Sequence, residues 1–237
     1  MKAKKSLGQN FLKDRKVLMK IVEAAELDRD DYVVEVGPGK GVLTRELIEY
    51  AGRVTAIELD DRLIPQLREI EDLDLIHGNA LDFIPPGGDY KVVANIPYYI
   101  TSPLISHFLE SANQPSKMVL LVQKEVAEKI CAEPGDMNVL AIHVQVFGKP
   151  RIVCNVPAKA FTPVPKVDSA VLVIDVYNEP LVEDYKRFFG VVHRAFSGKR
   201  KKLSNTLPDL KERLIELKFA DLRPEKLSLE DWRKLIK

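Results

Sequence analysis

Apolar residues recur in short runs separated by amphipathic stretches, the alternation expected of strands and helices in an α/β chain. Tyr32-Val-Val-Glu-Val36, Val54-Thr-Ala-Ile-Glu58, Leu73-Asp-Leu-Ile-His77, Lys91-Val-Val-Ala94 and Lys117-Met-Val-Leu-Leu-Val-Gln123 read as strands. Their apolar content is nearly continuous, as in parallel strands covered on both faces. Residues 14–25 are helical, with Val17, Leu18, Ile21 and Val22 on one face. Residues 42–51, 61–70, 102–111 and 124–131 read as the following helices. Residues 138–147, long and apolar, read as a strand, as do 151–155 and 169–176. The short connections between these late strands predict antiparallel pairing at one sheet edge. From Leu181 the pattern changes to helices, over 183–196, 203–218 and 228–237, with Pro180 as the boundary. The expected domains are therefore 1–180, built on the sheet, and a small helical 181–237.

The candidate chemistry sits at strand ends. The first strand runs into Gly37-Pro38-Gly39-Lys40-Gly41 and a helix, the nucleoside-binding turn of doubly wound sheets. The spacing is neither that of dinucleotide binders nor that of a phosphate loop ending in Gly-Lys-Ser/Thr. The second strand ends in Glu58, placed where a carboxylate accepts both ribose hydroxyls. An acid there argues against a 2′-phosphate. The loop alone also suits a structural turn; the loop with Glu58 favours a nucleoside cofactor. Glu35 either meets the cofactor's charged amino end or pairs with a neighbouring lysine. Asn79, just past the third strand, either bonds an adenine edge or closes a plain Gly-Asn turn.

The most unusual stretch is Asn95-Ile96-Pro97-Tyr98-Tyr99-Ile100, which follows the fourth strand. The exocyclic amine of adenine is a poor nucleophile, because its lone pair is delocalised into the ring. Two acceptors aimed at its hydrogens, the Asn95 side-chain oxygen and the Ile96 carbonyl, would draw the nitrogen towards a tetrahedral shape and free the lone pair for an electrophilic methyl group. Pro97 would stiffen the turn and Tyr98 would stack on the base. An ordinary strand-to-loop turn also favours Asn and Pro. Phe161, in a loop stiffened by Pro157, Pro163 and Pro165, is either a core plug or a second stacking face opposite Tyr98.

Composition narrows the class. The chain of 237 residues is 46% hydrophobic, enough for a sizeable core. Cys131 and Cys154 show no metal spacing and no disulfide framework, which points to a reducing, cytoplasmic setting. No metal site, transmembrane segment or export signal is expected. Net charge is +1, yet residues 1–20 alone hold seven Lys/Arg and one acid. A second basic run, Arg194 to Lys202, carries five bases and no acid. With Phe196 beside it and Lys4 and Lys5 at the other terminus, this reads as a nucleic-acid face, with a solvated surface as the plain alternative.

Taken together, these residues resemble the ribosomal RNA adenine dimethyltransferase family of the KsgA type. The resemblance spans nearly the whole chain. It rests on Gly-Gln-Asn-Phe-Leu at 8–12, Val-Glu-Val-Gly-Pro-Gly-Lys-Gly at 34–41, Glu58, Asn-Ile-Pro-Tyr-Tyr at 95–99, Phe-Thr-Pro-Val-Pro-Lys-Val-Asp-Ser-Ala at 161–170 and the basic run after Arg194. It implies a class I S-adenosylmethionine methyltransferase: a Rossmann-like, mostly parallel seven-stranded sheet followed by a small helical domain. It implies dimethylation of two adjacent adenosines near the 3′ end of 16S rRNA, within an immature small subunit, by a monomeric cytoplasmic enzyme. By resemblance, Asn10, Leu12, Gly37, Gly39, Gly41, Glu58, Asn79 and Asn95 contact the cofactor. Asn95, Ile96, Pro97, Tyr98 and Phe161 hold the adenine, and Lys4, Lys5, Arg194, Lys199, Arg200, Lys201 and Lys202 bind RNA. Position 79 departs from the family, which usually carries Asp there. The rivals are a large-subunit methylase of the Erm kind, which shares Asn-Ile-Pro-Tyr; a DNA adenine methylase, disfavoured because those usually carry Pro-Pro-Tyr; and an assembly factor whose methylation is incidental.

Overall fold

The computed structural model describes residues 9–198 and 200–237. In chain order its elements are β1 (Phe11–Leu12), α1 (Arg15–Ala25), β2 (Tyr32–Val36), α2 (Val42–Tyr50), β3 (Arg53–Glu58), α3 (Ile64–Leu67), β4 (Leu73–His77), β5 (Lys91–Asn95), α4 (Thr101–Leu109), β6 (Lys117–Gln123) and α5 (Lys124–Ile130). They continue with α6 (Val139–Phe147), β7 (Gly148–Val156), β8 (Phe161–Thr162), β9 (Ser169–Val176), α7 (Tyr185–Phe196), α8 (Leu203–Thr206), α9 (Lys211–Glu216) and α10 (Leu229–Ile236).

The chain divides into two compact units. One holds the residues up to Ala127 with Pro150–Val176; the other holds Glu128–Lys149 with Tyr177–Lys237. The sheet of the first unit has the order β4-β3-β2-β5-β6-β9-β7. Strands β2 to β6 pair in parallel, and β9 runs antiparallel to β6, from Lys117 opposite Asp175 to Gln123 opposite Ser169. The expected mostly parallel seven-stranded sheet with an antiparallel edge is what forms. The chain steps outward from β2 to β4, then returns to lay β5 against the other side of β2. That reversal is the switch point at which doubly wound sheets open a crevice.

Helix α1 packs as its apolar stripe predicts. Val17, Leu18, Ile21 and Val22 are buried, in one core with Val33, Leu47, Val93, Val119 and Val171. Each such side chain contributes roughly 1.5–3 kcal/mol by leaving water. Asp14 starts the helix, its carboxylate accepting from the Lys16 and Val17 amides at 2.9 and 3.4 Å.

Three local readings need correction. Residues 139–147 are a helix, not a strand: Asn138 caps it by accepting from the Ala141 amide at 3.0 Å. A segment apolar all round carries no period, and its cap is the better signal. The single helix expected over 203–218 is broken between α8 and α9 by a 3-10 turn at Pro208–Leu210, where proline removes a backbone donor. The helix expected over 61–70 shrinks to α3. Within the second unit, Phe147, Tyr185, Phe189 and His143 form one aromatic cluster, with ring centroids 4.8–6.2 Å apart. The segment Glu128–Lys149 thereby joins the later helices, and Pro180 falls inside that unit.

Candidate active site

Four parallel strands end on one open cavity. Gly37 follows β2, Glu58 ends β3, Asn79 follows β4 and Asn95 ends β5; all four line it. The glycine loop is dictated by backbone geometry. Gly37, Gly39 and Gly41 have φ of 69°, 59° and 75°, where a side chain is strained. A Cβ on Gly39 would sit 3.1 Å from the Phe11 ring, so the loop also needs the missing side chain to admit that residue.

Three carboxylates are buried around this cavity: Glu35, Glu58 and Asp60 are 1%, 5% and 1% exposed. Each has a different solution to its burial. Glu58 accepts from the Gly39 amide at 3.1 Å and from the Asp60 amide at 2.8 Å. Burial raises its carboxyl, and those hydrogen bonds oppose the rise. Asp60 accepts from Arg62 at 2.8 and 2.6 Å and from the Gln9 side chain at 2.7 Å. The guanidinium of Arg62 holds it well below the usual carboxylate range. Glu35 is the least compensated, the Thr44 hydroxyl opposing its rise only in part. Its Oε2 lacks a hydrogen-bond partner among the described residues, and burial pushes its carboxyl up to about 8. It lines the cavity, so an entering cation would meet it.

The segment that ends in β1 lies along the same space. Gln9, Asn10, Phe11 and Leu12 all line the cavity. Phe11 and Leu12 pair antiparallel with Thr162 and Phe161, and Lys40 stands over the Phe11 ring at 5.0 Å. The Asn95 side-chain nitrogen donates to the Asn10 carbonyl at 3.2 Å. Pro97 and Ile96 line the cavity beside Asn95. Tyr98 begins a 3-10 turn, and its hydroxyl shares a 2.7 Å hydrogen bond with that of Ser169. Burial raises the Tyr98 phenol. Asn79 is tied into a turn, its side-chain oxygen accepting from the Leu81 amide at 3.1 Å.

Most of the site residues expected from the sequence converge: Asn10, Leu12, Gly37, Gly39, Glu58, Asn79, Asn95, Ile96, Pro97 and Tyr98 line one cavity. Two do not. Gly41 caps α2, where a Cβ would lie 2.6 Å from Ile70, and stands outside the lining. Phe161 is fully buried in the core with Leu12 and Ala160. Its place here is that of the core plug, outside the cavity lining, with Leu12 its partner in the β1–β8 pair. Reading the sequence alone missed Lys40 and Asp60 as individual residues, while Gln9 sits in the stretch 8–12 that the sequence already singled out. Asp60, two residues after Glu58, was signalled only by the acid repeat in Glu58-Leu-Asp60.

On the helical unit, Arg194 forms a two-pronged ion pair with Asp209 at 3.1 and 2.9 Å, and Lys202 pairs with Asp221 at 2.7 Å. Arg200 and Lys201 are exposed. Lys4, Lys5 and Lys199 lie outside the described residues. No helix among the described residues is long and apolar enough to cross a membrane.

A family model described as "Ribosomal RNA adenine dimethylase" matches residues 1–236. The Ribosomal RNA small subunit methyltransferase A of Dehalococcoides mccartyi is 43% identical over 255 aligned positions, covering 99% of this chain and 88% of that protein. Its namesake in Clostridium acetobutylicum is 42% identical, covering 98% of this chain and 91% of that protein. Among solved structures, a dimethyladenosine transferase from Plasmodium falciparum superposes with a TM-score of 0.87 at 29% identity, over 95% of each chain. The 23S rRNA methyltransferase ErmE superposes with a TM-score of 0.82 at 31% identity, over 96% of this chain and 98% of that one.

Proposed function

The chain belongs to the ribosomal RNA adenine dimethylase family, and from that premise we propose that it transfers methyl groups from S-adenosylmethionine to the exocyclic amines of two adjacent adenosines near the 3′ end of 16S rRNA. The observation that carries this reading is the convergence, in one cavity, of a nucleoside-type cradle and the Asn95 amide at neighbouring strand ends.

The residues fit the cofactor. Glu58 presents a buried carboxylate to ribose hydroxyls at the end of β3. Asn79 stands where an adenine edge would lie. Glu35, with an unpartnered buried oxygen, suits a cationic group. When bound, the cofactor supplies a methyl group on a sulfonium, already activated for transfer. The protein then orients and stabilises. With its nitrogen engaged by the Asn10 carbonyl, the Asn95 amide turns its oxygen to the other side. That oxygen and the Ile96 carbonyl accept the two amine hydrogens of a flipped adenine. The pull on both hydrogens redirects the nitrogen lone pair out of the ring plane. Pro97 holds the turn, and the Tyr98 ring, anchored through Ser169, offers a face to the base. Each transfer would leave S-adenosylhomocysteine and a methylated, positively charged nitrogen that gives one proton to solvent; after the first, one hydrogen remains, and one acceptor suffices to orient the monomethylated amine.

The small-subunit target is favoured over the Erm-type one by the relatives at 42–43% identity, which carry the small-subunit name. Arg200 and Lys201 on the helical unit, with Lys4, Lys5 and Lys199, would meet RNA phosphates as part of an immature small subunit; the protein would act in the cytoplasm, as a monomer. The direct test is Asn95→Ala. Its transfer rate at saturating cofactor falls by about a hundredfold or more, the scale of removing a positioned polar group that acts in the transition state, while the cofactor Kd changes little. A variant that keeps near wild-type rate would remove Asn95 from the chemistry.

A further inference from the structure

An asparagine amide has a donor end and an acceptor end of nearly the same shape, so something must decide which faces the substrate. At Asn95 the decision is visible. A backbone carbonyl can only accept, and the Asn95 nitrogen donates to the Asn10 carbonyl at 3.2 Å. The flipped amide would set oxygen against oxygen at that contact, and would present N–H groups to an amine that itself needs acceptors.

The Asn10 carbonyl can do this only while its segment is held in place. It is held from both sides. On one side, Gln9 donates to Asp60 at 2.7 Å. The Asp60 carboxylate is buried and clamped by Arg62. On the other, Phe11 and Leu12 pair with Thr162 and Phe161, and the Lys13 amide donates to the Ala160 carbonyl at 2.9 Å. We propose that the segment Gln9–Leu12 is a positioning strap for the chemistry as well as a wall of the cofactor cavity: its Asn10 carbonyl sets the Asn95 amide so that the acceptor oxygen faces the adenine, and the Gln9–Asp60 hydrogen bond keeps that carbonyl seated. This rests on Asn95 being the acceptor for the target amine. It separates Gln9 and Asp60, as positioning residues, from those that bind cofactor alone.

The test uses the full chain and small ribosomal subunits lacking adenine dimethylation. Gln9→Glu sets a carboxylate against Asp60 and unseats the strap; Gln9→Ala simply deletes the tie and serves as the milder variant. Single-turnover methyl transfer at saturating cofactor should fall about five- to tenfold, the scale of one lost positioning hydrogen bond. The double change Gln9→Glu with Asp60→Asn re-forms the pair with its polarity reversed, and should recover most of that loss. Asn95→Asp, which keeps acceptors but has no donor for the Asn10 carbonyl, should slow transfer in the intact strap and cost little more once Gln9 is changed. A change confined to cofactor Kd, with the saturated rate intact, would overturn the proposal, as would strict additivity of Asn95→Asp with Gln9→Glu. The second readout is independent of turnover. The Asn95 side-chain amide, assigned by its loss in the Asn95→Asp spectrum, should be protected from hydrogen exchange in the wild type and lose that protection in Gln9→Glu. An unprotected wild-type amide would overturn the strap even in an active enzyme. A wild-type protein that methylates no adenine would instead overturn the reading of the site, with the exchange result still deciding the strap.

Discussion

Replacing Glu35 by Gln should stabilise the protein, and increasingly so as pH rises. The carboxyl is 1% exposed with an unpartnered oxygen. Burial, helped by the neighbouring Glu58 charge, pushes it from an ordinary 4.5 up to about 8. The folded chain therefore keeps a proton that the unfolded chain gives up, so raising the pH favours unfolding. The slope from this one group is about 1.4 kcal/mol per pH unit between those two values. Its cost is under about 1 kcal/mol at pH 5 and about 4 kcal/mol at pH 8. Gln has nearly the same shape and no charge, so the variant escapes the slope. Its advantage over the wild type should grow by roughly 3 kcal/mol from pH 5 to pH 8, or roughly 10 °C in Tm for a chain of this size. Paired thermal melts of both proteins at pH 5, 6.5 and 8 read this directly. Parallel curves would refute the buried, proton-retaining carboxyl. With S-adenosylmethionine added at pH 8 the wild type should gain more Tm than the variant, because a cationic ligand gives the carboxylate its partner.

Other changes probe separate parts of the molecule. Gly52→Ala places a Cβ 2.1 Å from the Arg29 carbonyl oxygen, so it should cost about 3 kcal/mol, the upper end for overpacking; an unchanged denaturation midpoint would contradict that contact. Asn79→Asp keeps the turn to Leu81 and adds a charged acceptor, so S-adenosylhomocysteine should bind about three- to tenfold more tightly. Equal Kd values by calorimetry would remove Asn79 from the adenine edge. Neutralising Arg200 and Lys201 together should weaken RNA binding and lower the slope of log affinity against log salt by roughly 1 to 2. An identical salt series would clear that surface of phosphate contacts.

The parts of the site legible in the sequence are those fixed by local backbone or by strand ends. Gly37 and Gly39 announce left-handed backbone, Glu58 closes the strand beside them, and Asn95-Ile96-Pro97-Tyr98 marks the next strand end. Each needs only a few neighbouring residues to be read. The parts that were not legible depend on distant partners. Phe161 was ambiguous until its pairing with Leu12 put it in the core. Asp60 belongs to no motif and is a buried anchor for Gln9. Arg194 and Lys202 counted as available bases in a run, yet each meets an acid, Asp209 and Asp221. The segment 139–147 was misread for a different reason: with apolar residues on every face, neither period stands out, and the helix is declared by Asn138 alone.

The central claim is tested most directly by incubating the protein and labelled S-adenosylmethionine with small ribosomal subunits lacking adenine dimethylation, then digesting the RNA and identifying the nucleosides by mass spectrometry. Labelled dimethyladenosine in a 3′-terminal fragment of 16S rRNA is the predicted result. Label confined to large-subunit RNA, or no label on either subunit while the cofactor still binds, would contradict it.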